Sequence, residues 1–192
     1  MKSPVEILNT EILSNRYRPL KELTIRMIDP NGKEQTVKRE IYERGDAAAA
    51  ILYNSEKGTV ILINQFRLPT LLNGNESGMM REACAGMLDG ELPEVCVLRE
   101  ILEETGYAIE TVKSIGSIYV SPAGCTERIY LFVAPYTPEM KTSKGGGLEA
   151  EHEYIEIEEV SYLDALEMIV RDEIQDAKTI VLLYHLRIHG LM

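Results

Sequence analysis

The sequence predicts a mixed α/β domain preceded by a small β extension, and three observations carry that prediction. Two continuously apolar runs, Ala47 to Tyr53 and Thr59 to Ile63, are joined by the polar loop Asn54-Ser55-Glu56-Lys57-Gly58. This is the pattern of a hairpin whose strands are covered on both faces. A helical segment follows at Pro93 to Thr105 and two more after Ser161, so helices are available to cover both faces of a sheet. The chain has 192 residues, 45% hydrophobic and 27% charged, which suits one ordinary domain with a small appendage.

The elements follow in order. Residues 17–44 read as a hairpin: strand formers from Leu23 to Ile28, turn chemistry at Asp29-Pro30-Asn31-Gly32, and a return strand from Thr36 to Tyr42. A lone hairpin is marginal in water and must pack on something. We therefore divide the chain into an extension, 1–44, expected to serve dimerisation, and a main domain, 45–192. After Asn73-Gly74-Asn75-Glu76-Ser77-Gly78 comes a short strand from Met80 to Ala85. The helix Pro93 to Thr105 has proline in its first turn and Gly106 just past its end. Strands are expected at Ser114 to Val120, Arg128 to Ala134 and Tyr154 to Val160. Ser161 with Asp164, and then Asp176, cap the two closing helices. The Met79-Met80 pair and the Met168-Ile169 stretch read as core.

A net charge of -11 argues against a general nucleic-acid or membrane-surface binder, because both need a basic patch. An anionic substrate would then require local cations or a metal. Cys84, Cys96 and Cys125 are too widely spaced for a disulfide framework and read as buried small residues. His185 and His189, one helical turn apart with no cysteine partner, read as helix-surface residues. Met1 to Leu13 mixes charges with apolar residues, unlike a signal peptide, and no apolar run approaches a membrane span. A reducing, cytoplasmic setting is expected.

The chemistry concentrates in the helix Pro93 to Thr105. At about 100° per residue, Val95, Leu98, Ile101 and Leu102 fall on one side and Glu100, Glu103 and Glu104 on the other. Carboxylates at that spacing repel, and taken alone they read as a solvated acidic face. The neighbours shift the balance. Gly86-Met87-Leu88-Asp89-Gly90-Glu91 is a tight loop leading into the helix, Arg99 is placed to tether that loop through Glu91, and Gly106 stops the helix. Magnesium is typically held by one or two carboxylates plus substrate phosphate oxygens, which carboxylates a turn apart can supply.

The segment resembles the Nudix box, GX5EX7REUXEEXGU, with U a bulky aliphatic residue. From Glu91 through Arg99-Glu100-Ile101-Leu102-Glu103-Glu104-Thr105-Gly106 the spacing agrees. Upstream, four residues rather than five separate Gly86 from Glu91, and Tyr107 takes the last aliphatic position. The resemblance implies an α/β/α sandwich with a mixed sheet and hydrolysis of a nucleoside diphosphate linked to a further group. It implies that Glu100, Glu104 and the carbonyl of Ala85 bind Mg2+, or Mn2+ in its place, with Glu103 a second or supporting acidic ligand.

Over nearly the whole chain the sequence is most similar to the GDP-mannose pyrophosphatases of that family, with the ADP-ribose pyrophosphatases second. The matching segments are Lys38-Arg39-Glu40, Gln65-Phe66-Arg67, Asn73 to Gly78, Glu82-Ala83-Cys84-Ala85-Gly86, Ser121-Pro122 with Thr126-Glu127, and Gly145-Gly146-Gly147-Leu148-Glu149-Ala150-Glu151. Carried over by position, Tyr17 and Lys38, Arg39 and Glu40 would contact nucleotide, some of them from a partner subunit with an exchanged extension. Ala85, Gly86 and Met87 would line the substrate. Arg67 would face phosphate or base, Glu127 the reacting centre or sugar, Glu151 a further magnesium, and Lys178 the sugar-phosphate end. Ala150 stands where an acidic residue is expected. The general base is either Glu127 or one of Glu149, Glu151 and Glu153.

Each residue has a plainer reading. Arg39 and Arg67 suit strand edges, although they also answer the anion problem. Tyr17 alone suits packing. Lys178 suits the surface as well as a site. Gly145 to Gly147 suits a plain linker as well as the stem of a lid. A binding module without catalysis is the contrasting class, and such modules are expected to lose box carboxylates that this chain keeps.

Overall fold

The computed structural model describes residues 5–148, 150 and 154–192. The chain divides into two units, residues 1–46 with 119–128, and residues 47–118 with 129–192.

The first unit is built on an antiparallel sheet of β1 (Val5–Ser14), β2 (Leu20–Ile28) and β3 (Glu34–Tyr42), in that order. The hairpin of β2 and β3 is turned by Asp29, whose Oδ1 accepts the amides of Asn31 and Lys33, both at 2.9 Å. Gly32 completes the turn at φ 81°. A third strand, β1, was not expected from the sequence. Its side chains are mostly exposed and it lacks clean alternation, so periodicity gives it little signal.

The second unit contains β4 (Ala47–Asn54), β5 (Thr59–Phe66), α1 (Leu68–Leu72), β6 (Met79–Glu82), β7 (Cys84–Met87), α2 (Pro93–Glu100), β8 (Lys113–Tyr119), β9 (Arg128–Pro135), β10 (Glu156–Ser161), α3 (Tyr162–Val170) and α4 (Ala177–Ile188). The seven-stranded sheet runs β10-β5-β4-β9-β8, with β6 on β5 and β7 on β4. It is mixed: β4 pairs parallel with β9, whereas the β4–β5, β4–β7, β5–β6 and β5–β10 pairs are antiparallel.

Both faces of β4 and β5 are covered, as their unbroken apolar runs require. Ala47, Ala49, Ile51, Val60 and Leu62 pack with Tyr162, Ala165, Met168, Leu182, Leu183 and Leu186 of α3 and α4. Ala48, Ala50, Leu52 and Ile61 face Cys96, Val97 and Ile101 of the α2 segment. This is an α/β/α sandwich. The single strand expected from Met80 to Ala85 is two, because the chain leaves β5 at Glu82 and joins β4 from Cys84. Ser161 and Asp176 cap α3 and α4 by accepting the amides of Asp164 and Thr179. Met168 is core, while Met79, Met80 and Ile169 are half-buried. Cys84 and Cys96 are buried and Cys125 is intermediate. His185 is half-buried, its ring stacked 4.1 Å from that of the exposed His189.

Candidate active site

The helix that carries the box is α-helical from Pro93 to Glu100 and then widens into a π-helical turn over Ile101–Thr105, ending at Gly106 with φ 78°. Its buried face is not the one a simple wheel selects. Val95 and Leu102 are exposed, and Cys96, Val97, Glu100, Ile101, Glu104 and Thr105 are buried. Two carboxylates therefore turn toward the sheet. Glu104 is 1% exposed and Glu100 9% exposed, so neither belongs to a solvated acidic face.

Strand β7 explains the choice. Ala85 and Met87 send their side chains to the face of α3 and α4. Gly86 lies between them, and a Cβ there would come within 1.8 Å of Glu100 Oε1. The missing side chain is the space the Glu100 carboxylate occupies. Beside it, Glu104 Oε2 accepts the amide of Ala85 at 3.1 Å. A buried carboxylate needs such partners to remain charged.

Arg99 organises the outer side. Its guanidinium reaches Glu91 Oε2 at 3.1–3.2 Å, as expected for a loop tether. It also meets Glu103 Oε2 at 2.8 Å and Glu100 Oε1 at 2.9 Å. Burial acts to lower the Arg99 pKa, yet the charge of Glu100 and the hydrogen bonds to Glu91 and Glu103 raise it overall. Glu103, like Glu100, is thus a partner of Arg99. The one-residue-shorter loop closes through Asp89 at φ 41° and Gly90 at φ 96°, with the Glu91 amide on the Leu88 carbonyl at 2.7 Å. Aspartate is among the residues that take a positive φ more readily than most.

Deeper in the same unit lies an ionic cluster. Arg67 grips Glu82 through Nε at 2.7 Å and Nη2 at 2.8 Å, and Lys178 Nζ reaches Glu82 Oε2 at 2.7 Å and Asp176 Oδ1 at 3.0 Å. Lys178 is 7% exposed, which excludes the surface reading. Burial opposes its charge, and Glu82 and Asp176 outweigh burial, so its pKa is raised. Burial likewise opposes the Glu82 charge, but the Arg67 hydrogen bond and the Lys178 and Arg67 charges hold its pKa down to about 2. Thr179 Oγ1 donates to Asp176 and accepts the amide of Ala83, tying α4 to the break between β6 and β7. Glu82 and Asp176 are the residues that sequence reasoning left without a site role. The cue for Glu82 was its place three residues before Ala85; Asp176 read only as a cap.

Of the other predicted residues, Tyr17, Lys38, Arg39, Glu40 and Glu127 belong to the first unit. Tyr17 is exposed beneath the Arg18 guanidinium, 5.8 Å from its ring centroid, which speaks against packing as its role. Lys38 pairs with Glu22, Arg39 Nη1 donates to the Lys38 carbonyl at 2.9 Å, and Glu40 is exposed opposite Glu22. Glu127 is buried and meets Arg44 Nε at 3.3 Å. Ala150 is exposed. Glu149, Glu151 and Glu153 lie outside the described residues. Gly145 to Gly147 is not a plain linker: the amides of Gly146 and Gly147 donate to the carbonyls of Glu104 and Glu103, at 2.9 and 3.2 Å. Among the described residues, no three His, Cys, Asp or Glu gather as a metal cluster, and no helix is long and apolar enough to cross a membrane.

Comparison with known proteins agrees with this geometry. The NUDIX domain model matches residues 43–181. Over all 192 residues of both chains, the sequence is 45% identical to a GDP-mannose pyrophosphatase of Enterobacter sp. (strain 638). It is 44% identical over the same span to that of Yersinia enterocolitica and 43% to that of Escherichia coli (strain K12 / DH10B). A solved structure titled as an ADP compounds hydrolase superposes with a TM-score of 0.70 at 17% identity, covering 95% of this chain and 92% of that one, a likeness of fold. With a family match over most of its length and relatives aligned end to end, the chain belongs to the NUDIX family.

Proposed function

We propose that this chain hydrolyses the diphosphate bond of a GDP-sugar such as GDP-mannose, giving GMP and a sugar 1-phosphate, with Mg2+ as the metal and Mn2+ able to replace it. The observation that carries the reading is the pair of buried carboxylates, Glu100 and Glu104, gathered on Ala85 and Gly86 in a chain 43–45% identical throughout to GDP-mannose pyrophosphatases.

The residues fit a hard divalent cation. Glu100, Glu104 and the Ala85 carbonyl offer oxygen only, and the hollow over Gly86 accepts a carboxylate where any side chain would exclude it. Two carboxylates and a carbonyl leave coordination positions for water and phosphate oxygens, the usual condition for magnesium. When bound by Glu100, Glu104 and the Ala85 carbonyl, such a cation would neutralise charge on the diphosphate and act as a Lewis acid toward it.

The rest falls to the protein's own groups. Arg99 orients Glu100 and Glu103 from the outer side. Arg67 and Lys178, both raised in pKa, against burial, by the carboxylates that hold them, are the cations proposed to face the diphosphate. Glu82 and Asp176 fix the two cations so that little reorganisation is needed when the anion arrives. Glu127 and the glutamates at 149, 151 and 153 are the candidates for general base. Tyr17, Lys38, Arg39 and Glu40 are proposed nucleotide contacts, and a homodimer in which the extension is exchanged would bring some of them from the partner. A cytoplasmic setting is part of the same reading.

The test is hydrolysis by purified protein with magnesium of GDP-mannose, GDP-glucose and ADP-ribose, with products resolved. GDP-sugars cleaved to GMP and sugar 1-phosphate, and turnover lost at least 10³-fold in a folded Glu104→Gln variant, are expected. A wide preference for ADP-ribose overturns the substrate, and full turnover by Glu104→Gln overturns the site.

A further inference from the structure

Glu104 is held at both ends. Its carboxylate accepts the Ala85 amide at 3.1 Å, while its backbone carbonyl accepts the Gly146 amide at 2.9 Å. The second contact comes from a glycine segment about forty residues downstream that fits onto the end of the box helix, backbone against backbone.

A helix end leaves its last carbonyls without intrahelical partners. Here the Leu102 carbonyl takes the Gly106 amide at 3.0 Å, and the Glu103 and Glu104 carbonyls take Gly147 and Gly146. The neighbouring chain is stitched in the same place. The Gly106 carbonyl accepts the amides of Thr142 at 2.9 Å and Ser143 at 3.2 Å, and the Ala108 amide donates to Met140 at 2.8 Å. Neither side of this contact tolerates a side chain. A Cβ on Gly145 would lie 2.6 Å from the Glu104 carbonyl oxygen and 2.8 Å from the Gly106 nitrogen. One on Gly106 would lie 2.3 Å from the Ser143 carbonyl oxygen. Backbone atoms cannot swing aside as a flexible side chain can. Beyond Gly147 the chain returns at Ile155, whose amide donates to the Gly146 carbonyl at 3.2 Å. Ile155 is therefore tied to Gly146, the residue whose amide donates to the Glu104 carbonyl.

We propose that Gly145 and Gly146 are positioning residues for the Glu104 carboxylate, acting through its backbone, and that metal binding at Glu104 and order in the 145–147 segment are coupled. This rests on the reading of Glu104 as a metal ligand. The π-helical turn over Ile101–Thr105 gives the coupling its reason. Single π-helical turns inside α-helices are frequent at functional sites, and here the carbonyls of Glu103 and Glu104 within the turn are taken by Gly147 and Gly146. Coupling of this kind is reciprocal: a segment that orders the ligand is ordered by the metal in turn.

Two measurements decide it. First, Gly145→Ala is compared with Gly58→Ala, a residue at φ 69°, like Gly145 at φ 64°, but with nothing within 4 Å of its Cβ. Both variants carry the left-handed backbone penalty, and only Gly145→Ala presses on Glu104. At a temperature where both are folded, Gly145→Ala is expected to raise the half-saturating magnesium concentration and lower kcat, each about tenfold or more, while the KM for GDP-mannose at saturating metal stays within about twofold. Gly58→Ala is expected to match the wild type in all three. Wild-type metal dependence in folded Gly145→Ala overturns the proposal. Second, amide hydrogen exchange of the wild-type protein is followed with magnesium alone, no nucleotide being present. Slowing of the Gly146 and Gly147 amides by about tenfold supports the coupling, and unchanged exchange under saturating metal overturns it even if Gly145→Ala does not fold. Lack of any hydrolysis by the wild-type protein would instead count against the proposed activity, so the two failures are distinguishable.

Discussion

Arg67 and Glu82 form a two-pronged ion pair, Nε to Oε1 at 2.7 Å and Nη2 to Oε2 at 2.8 Å, with the carboxylate almost wholly buried. A fork of this kind fixes the guanidinium plane as well as its position. Because Lys178 shares the same carboxylate, one glutamate sets the direction of both cations proposed to face the diphosphate.

Removing that carboxylate's charge leaves Lys178 buried with Asp176 as its remaining acidic partner. Breaking a buried pair from one side costs about 3–5 kcal/mol. Glu82→Gln is therefore expected to lower the melting temperature by roughly 6–20 °C for a chain of this size. At temperatures where it is folded, it should also lose at least tenfold in kcat/KM, because the Arg67 plane is no longer held. Thermal melting and steady-state hydrolysis check both. A variant as stable and as active as the wild type would show that the cluster neither stabilises the fold nor orients the cations.

The same residue predicts an acid limb of stability. Glu82 has its pKa lowered from 4.5 to about 2 in the folded protein. A depressed carboxylate contributes fully above its unfolded value and loses that contribution as pH falls through the folded one. The window is thus pH 4.5 down to about 2, and the full effect is about 3 kcal/mol at ~1.36 kcal/mol per pH unit. Chemical denaturation at a series of pH values should show wild type losing stability across this window more steeply than Glu82→Gln. Parallel curves would remove Glu82 from the acid response.

Gly86 tests the cradle without backbone strain, since its φ is not positive. In Gly86→Ala the new methyl meets the Glu100 carboxylate, the far end of a flexible side chain, so the fold is expected to survive with a loss of about 1–3 kcal/mol from crowding. The displaced carboxylate should weaken apparent magnesium affinity by about tenfold or more, read from activity titrations and from calorimetry with the metal alone. Unchanged metal affinity in a folded variant would mean that Glu100 does not need the hollow over Gly86.

What the sequence disclosed about this site follows from which interactions are local. The box register from Glu91 to Gly106, the Arg99–Glu91 tether and the helix caps act within a few residues, and all were legible. The face that Glu100 and Glu104 present was not, because it depends on Gly86 leaving space and on the Ala85 amide, contacts made across the fold. The wheel also assumed 3.6 residues per turn, which the π-helical turn after Glu100 breaks. Lys178 looked ambiguous for the same reason: its partner Glu82 lies 96 residues away. Strand β1 was missed because an exposed, irregular strand has no burial pattern to betray it.

That exposed strand bears on assembly. Ile7 and Ile12 of β1 are 60% and 59% exposed, and Val5, Leu8 and Leu13 are exposed beside them on a strand at the edge of a three-stranded sheet. An exposed apolar strand at a sheet edge is an aggregation hazard unless another chain covers it. The assembly consistent with the proposed nucleotide contacts of Tyr17, Lys38, Arg39 and Glu40 is a homodimer that exchanges the extension. Sedimentation should show a dimer at micromolar concentration. The Ile7→Asp, Ile12→Asp double variant should shift it toward monomer and raise the KM for GDP-mannose at least tenfold, with a smaller change in kcat, because the box residues stay in their own chain. A wild-type protein that is monomeric and fully active would sink the exchange, and a dimer untouched by the double variant would move its interface away from β1.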